Sequence, residues 1–175
     1  DATFVPPPMQ RALAQGADLA IHSATKILGG HSDVLGGVVS GAHPLMERLE
    51  AFRRRTGAML APDSAWLLTR SLATLPLRAE RACENAARVA AFLETAQRQG
   101  APIERVWYPG LESHPDHAVA RRSLDGYGYM LAFEVSGGLE GAAAVYDRFE
   151  VIRRAVSLGG VESLALLPLH TSHVM

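Results

Sequence analysis

One stretch limits what this chain can fold into: Ser23-Ala24-Thr25-Lys26-Ile27-Leu28-Gly29-Gly30-His31-Ser32-Asp33, set between the apolar runs Leu19-Ala20-Ile21 and Val34-Leu35 with Val38-Val39. Both runs have the length and branching of buried strands. The pattern therefore predicts strands over 19–23 and 34–40, joined by a loop that carries the polar residues and a glycine pair. Ser23, Thr25 and Lys26 then gather just past the C-terminal end of the first strand. In an open α/β sheet that is the end at which ligands bind. Lys26 is also the only lysine in the chain, the other cationic positions being arginine.

Two hydroxyls and one amine at such a place suit an anionic, carbonyl-bearing ligand. The hydroxyls can hold a phosphate. A lysine in a part-desolvated pocket can lose its proton and form an imine with a carbonyl. The glycines that follow let the backbone turn tightly and approach a ligand. A P-loop would place its glycines before the lysine and would need Gly-Lys-Ser/Thr, which this sequence lacks. Phosphate binding combined with imine formation describes pyridoxal phosphate. The alternative is a solvated lysine on an ordinary strand-to-loop turn, and spacing alone leaves both open.

The segment Gly16-Ala17-Asp18-Leu19-Ala20-Ile21-His22-Ser23-Ala24-Thr25-Lys26, continuing to Gly30-His31-Ser32-Asp33, closely resembles the cofactor-lysine segment of the Cys/Met-metabolism pyridoxal-phosphate enzymes. That family includes cystathionine γ-synthase, cystathionine γ-lyase and methionine γ-lyase. Asp1-Ala2-Thr3-Phe4 resembles the family's Asp-Asn-Thr segment, with Ala2 in place of the usual Asn. Ser157-Leu158-Gly159-Gly160-Val161-Glu162-Ser163-Leu164 resembles its late Ser-Leu-Gly motif. Three motifs in the family's order make the match specific, and it covers essentially the whole chain.

The resemblance implies an α/β, fold-type I (aspartate aminotransferase-like) architecture. Residues 1–77 would be the second half of the cofactor-binding large domain, and 78–175 most of the C-terminal α+β domain. It implies pyridoxal 5'-phosphate as cofactor, with Lys26 as its Schiff-base lysine and as general base and acid. Ser23 and Thr25 would hold the phosphate, and Asp1 the pyridine nitrogen. Ser157 would help to seat the substrate carboxylate. Val156, just before the Ser-Leu-Gly motif, would steer substrate choice, because cystathionine-handling relatives often carry Glu there. The implied chemistry is elimination or replacement on sulfur amino acids or homoserine esters, like methionine γ-lyase or cystathionine γ-synthase. A cystathionine lyase, or a fragment that keeps only the fold, is the alternative. Sites of this family form across subunits, so a homotetramer is implied for the full-length protein. The stacking tyrosine, the partner-subunit phosphate ligands and the carboxylate-clamping arginine would lie outside residues 1–175.

Composition excludes several other classes. Apolar residues make up 48% of 175 positions and charged residues 20%, so a packed core is expected. A net charge of −1 points away from nucleic acid and acidic membrane surfaces. No apolar run is long enough to span a bilayer. One cysteine, Cys83, excludes an internal disulfide framework and fits a reducing cytoplasm. Its helical context suits packing rather than nucleophilic work. His22 reads as a packed or hydrogen-bonded residue, and His31 and Asp33 as braces of the lysine loop. His114-Pro115-Asp116-His117 and the pair His170 and His173 lie in loop-like sequence and make poor metal sites. The chain starts on Asp1 and stops on Met175 in irregular sequence, which suggests a piece of a longer protein.

The remaining pattern predicts helices over 9–15, 44–56, 62–74, about 77–99, 116–123 and 139–150. It predicts strands over 103–108, 129–135 and 151–156, the last delivering Ser157. The long helix should bury Ala82, Ala86, Val89 and Leu93.

Overall fold

The structure is a computed structural model and describes residues 1–7 and 9–168; the pair His170 and His173 lies outside the described residues. Strand β1 (Leu19–Ser23) pairs antiparallel with β2 (Gly37–Gly41), Leu19 opposite Gly41 and Ser23 opposite Gly37. Residues 24–36 therefore close a loop at the C-terminal end of β1. The second strand begins three residues later than its apolar run, because Val34 drops into the core and Leu35 turns outward. The strands are also less buried than their composition predicts. Ala20 and His22 face inward, whereas Ile21 is 44% exposed and Val39 36%.

Helix α1 (His43–Thr56) starts with Pro44 in its first turn and stops at Gly57. None of its residues is fully buried: Leu45 and Leu49 are partly covered and Phe52 is exposed. Helix α2 (Pro62–Leu72) buries Leu68 and Ser71, and Leu67 packs beside them, while Trp66 points out at 64% exposure. Helix α3 (Leu75–Arg98) takes Pro76 into its first turn, where a missing N–H costs nothing. Its buried stripe is Leu75, Ala79, Cys83, Ala86 and Ala90. Val89, expected inside, is 45% exposed. Apart from Leu75 the stripe is of small side chains, and two different surfaces pack against it.

The first surface is the lysine loop. Ala24, Ile27, Leu28 and Val34 join Leu68, Leu75 and Ala79 in one buried cluster. The second is the hairpin of β3 (Ile103–Trp107) and β4 (Ala132–Val135), antiparallel with an irregularity between Ile103 and Arg105. There Val106 and Tyr108 pack on Ala86 and Ala90. At about 1.5 Å rise per residue, the 24 residues of α3 are long enough to join both clusters. Cys83 lies between them, buried, and burial raises its thiol pKa, in keeping with a packing residue.

Helices α4 (His117–Ser123) and α5 (Gly138–Tyr146) follow, then two short strands, β5 (Arg153–Arg154) and β6 (Leu164–Ala165), which pair in parallel. Three expectations are corrected here. Residues 9–15 form no helix; Gln15 and Gly16 close single turns onto Arg11, Ala12 and Leu13, since the preceding prolines and Gly16 leave too few residues to propagate. The strand over 151–156 shrinks to two residues, because its only partner among the described residues is the equally short β6. The strand over 129–135 starts at Ala132, because Tyr129 turns toward the N-terminal segment instead.

Candidate active site

Chain direction alone puts the amine where it is. Residues 24–28 wind once past the end of β1, and Gly29 N–H closes the wide turn onto Ala24 O at 2.9 Å. Lys26 breaks the helical course (φ −90°, ψ −137°) and is half-buried, whereas Ile27 and Leu28 after it are buried. Its Nζ donates to Ser157 Oγ at 3.2 Å. These residues lie 131 positions apart in sequence, so the contact is made by the fold and not by local geometry.

The loop from Ala155 to Ser163 brings the serine there. β5 and β6 anchor it through Arg153 N–H to Ser163 O (3.0 Å) and Ala155 N–H to Ala165 O (3.1 Å). Gly159 then lies directly on the lysine peptide. It has φ +78°, and a Cβ on it would stand 2.4 Å from Ile27 N and 3.0 Å from the Lys26 carbonyl carbon. No other residue fits. Ser157 has φ +99° and Ser32 φ +59°, the only two non-glycine residues with positive φ among those described. Both line one open cleft of about 260 Å³, together with Thr25, Asp33, Val34 and Leu35. Backbone strain collected around one cleft marks a functional site more often than a packing accident.

The hydroxyls sit on the same loop. Thr25 Oγ1 accepts from Gly36 N–H at 3.1 Å and lies 3.4 Å from Gly36 O, a long contact that leaves its hydrogen free to turn to a better acceptor. Half-buried Ser23 has no partner for its hydroxyl among the described residues; its backbone N–H donates to Thr3 Oγ1 at 2.9 Å. That bond docks residues 1–3 beside β1, with Ala2 N–H donating to Ile21 O at 2.8 Å. Asp1 is exposed and accepts from Thr3 N–H at 2.7 Å. Val156 is 55% exposed next to Ser157. So Ser157 and Thr25 line one cleft, Lys26 meets Ser157 at its side, and Thr3 links Ser23 to Asp1.

Two bracing roles differ from expectation. His31 does brace the loop, with Nδ1 2.7 Å from Gly29 O and 3.3 Å from Ser71 Oγ. Asp33 makes no such bond among the described residues and faces the cleft instead. The strongest brace is Arg78, which no sequence motif marks. Its guanidinium donates to Ile27 O (2.7 Å), Leu28 O (3.3 Å) and Ser71 O (2.8 Å), and Nε to Thr74 Oγ1 (3.0 Å). An arginine near the start of a helix carries no local sign of such a role. His22 is packed as expected, 6% exposed, with Nδ1 buried and without a partner among the described residues. Burial holds its imidazole pKa below the ordinary value, so the ring is neutral.

A lysine at the C-terminal end of a strand, facing a serine from a remote loop over a hydroxyl-lined cleft in a mixed helix-and-strand chain, is the arrangement of fold-type I pyridoxal-phosphate enzymes. More narrowly, the chain belongs to the Cys/Met metabolism PLP-dependent enzyme family, whose model matches residues 1–175. It is 42% identical over 175 residues to L-methionine γ-lyase of Pseudomonas putida, covering 99% of this chain and 43% of that one. It is 41% identical to cystathionine β-lyase of Coxiella burnetii, covering 99% and 44%. Among solved structures, cystathionine γ-synthase of Xanthomonas oryzae pv. oryzae in complex with aminoacrylate and cysteine superposes with TM-score 0.90 at 40% identity, covering 98% and 43%. The chain thus spans less than half the length of these relatives.

The family's cofactor is pyridoxal 5'-phosphate. The donor set here fits it: one amine for a carbonyl carbon; for a phosphate, a serine hydroxyl unpartnered among the described residues and a threonine hydroxyl whose donation to Gly36 O is long at 3.4 Å; and a carboxylate for a ring nitrogen. The described residues contain no group of three metal-ligating side chains, and none of their helices is long and apolar enough to cross a membrane.

Proposed function

We propose that the protein carries out elimination or replacement at the γ-carbon of sulfur amino acids or homoserine esters, with a methionine γ-lyase-like preference. The observation that carries this reading is the 3.2 Å contact between Lys26 Nζ and the Oγ of Ser157, a residue that lines the cleft. Lys26 is the residue that would hold the cofactor's carbonyl carbon, Ser23 and Thr25 its phosphate, and Asp1 its ring nitrogen. Bound there, the cofactor supplies an electron sink for carbon acids. Lys26 Nζ then takes the proton from the substrate Cα and returns it further along the chain as general acid. Ser157 keeps the amine in the cleft and offers its hydroxyl to the substrate carboxylate. The tight seat of Gly159 on the lysine peptide fixes the distance between these two groups.

Substrate choice falls to Val156. A carboxylate at that position would receive the distal ammonium of cystathionine, and a valine does not. A hydrogen bond to a charged group is worth about 1.5–3 kcal/mol, so its absence lowers preference for cystathionine about 10- to 150-fold relative to an uncharged thioether or ester. A second reading, the cystathionine branch, is favoured by Gly160-Val161-Glu162-Ser163-Leu164, where Glu162 folds its carboxylate back over Gly160. We favour the first, because Val156 adjoins the serine that meets Lys26, and Glu162 shapes the following turn. The test is kcat/KM of the full-length enzyme for cystathionine and for methionine, in wild type and Val156→Glu. Val156 is 55% exposed, so the glutamate brings little packing cost. The reading predicts a shift toward cystathionine in the variant. A wild type that already prefers cystathionine, or an unchanged ratio, overturns it.

A further inference from the structure

We propose that Tyr129 is a positioning residue for the cofactor site, holding Asp1 and Ser23 in place through the Thr3 peptide. The inference rests on the roles given above to Asp1 and Ser23. Its structural ground is the way Thr3 spends every polar group it has. The Thr3 N–H donates to Asp1 Oδ1 at 2.7 Å, and Thr3 Oγ1 accepts from Ser23 N–H at 2.9 Å. The remaining group, Thr3 O, accepts from the Tyr129 hydroxyl at 3.0 Å. Thr3 is buried at 7% exposure, so water does not readily replace that donor.

Tyr129 is well placed to act as a fixed post. It packs against the cluster that includes Ile27 and Leu28 of the lysine loop. Its backbone neighbour Gly128 has φ +80°, and a Cβ there would stand 2.6 Å from Phe4 O, so this strand of chain lies directly on the segment after Thr3. Tyr108 Oη donates to Gly128 O at 3.1 Å and ties the post to the second core cluster. Asp125 N–H donates to Met9 O at 2.8 Å and secures the same two segments further along. Burial raises the Tyr129 phenol pKa far above its ordinary value, so the group stays an O–H donor at every working pH. One hydroxyl from the C-terminal half thus sets where a carboxylate and a strand end sit in the N-terminal half.

The experiment compares full-length wild type, Tyr129→Phe, Asp1→Asn and the double variant. Pyridoxal phosphate dissociation constants are read by fluorescence, the visible band is titrated with pH, and melting of the cofactor-free forms is followed separately. Removing a donor from a buried carbonyl should weaken cofactor affinity about 5- to 30-fold in Tyr129→Phe and displace the pH titration of the band. In the Asp1→Asn background the same change should cost clearly less, because part of its effect passes through Asp1. Unchanged affinity and titration in Tyr129→Phe, or effects that add fully, overturn the inference, as does a fall in cofactor-free melting alone. A Tyr129→Phe that aggregates is replaced by Tyr129→Leu, which removes the same donor to Thr3 O and must weaken cofactor binding in the same way, and less so in the Asp1→Asn background. Failure of wild type itself to bind the cofactor would instead overturn the roles proposed for Lys26 and Asp1.

Discussion

At the scale of single residues, contacts across long sequence separations decide the site, and Gly159 makes one of the close ones. Gly159→Ala would put a methyl 2.4 Å from Ile27 N at a backbone angle that favours glycine. The loop bearing Ser157 must then lift off Lys26, and we expect kcat of the full-length enzyme to fall at least about 100-fold, the scale of a misplaced reacting group. Near-wild-type turnover in that variant would contradict the contact. His22 gives a pH signature. Its folded pKa lies below the ordinary 6.5, so the unfolded chain binds more protons in that range. Stability from this residue is fully present above 6.5 and is lost as pH falls toward the lowered folded value. His22→Gln should therefore flatten the fall in apparent Tm between pH 7.5 and 5.5 relative to wild type; equal slopes would show that the ring does not charge on unfolding. Lys26, Ser23, Thr25 and Ser157 stand out in the sequence by motif, and the fold brings Lys26 to Ser157 and sets Thr25 and Ser157 around one cleft. Arg78, Tyr129 and the packing of Gly159 do not stand out there, because their partners are carbonyl oxygens and peptide planes that no side-chain pattern reports.

At the scale of elements, the sequence was clear wherever periodicity and punctuation agreed. β1 has the bounds 19–23 that the pattern predicts, and α1, α2 and α3 each take a proline into their first turn. It failed where tertiary partners set the outcome. The segment 9–15 has helical spacing but too little length between proline and glycine, and the end of α4 and the loop after it capture it by Gln15 Nε2 to Ser123 O and Asp125 N–H to Met9 O. On α3 the apolar period was right and the face was wrong by a fraction of a turn, because a small-residue stripe is the one that lets both cores approach. The lysine loop hangs from this helix by Arg78. Arg78→Met should destabilise the loop by at least the value of one charged hydrogen bond, about 1.5–3 kcal/mol. Hydrogen exchange can localise the effect: Gly29 and Gly30 amides, bonded to Ala24 O and Lys26 O, should lose protection while those of β3 keep theirs. Uniform loss across both would mean that Arg78 supports the whole fold rather than the loop.

At the scale of the whole molecule, the chain exposes apolar surface that its own described residues do not cover. Leu35 is 84% exposed, Leu77 71%, Phe92 69% and Trp66 64%. β1 and β2 pair only with each other among the described residues, which leaves sheet edges open to other chain. We expect the 175-residue chain on its own to associate and to show no lyase turnover with added pyridoxal phosphate, and a homotetramer for the full-length protein; turnover by the purified 175-residue chain would refute the first. Everything proposed about chemistry depends on one atom, Lys26 Nζ, and one measurement reaches it directly. The full-length holoenzyme is reduced with borohydride, digested with trypsin and mapped by mass spectrometry. A cofactor fixed to Lys26 blocks cleavage there, so the label should appear on the uncut peptide Ala12–Arg48, the span between the flanking arginines. A label on any other peptide, or an unmodified chain cut after Lys26 in fully loaded enzyme, would contradict the account.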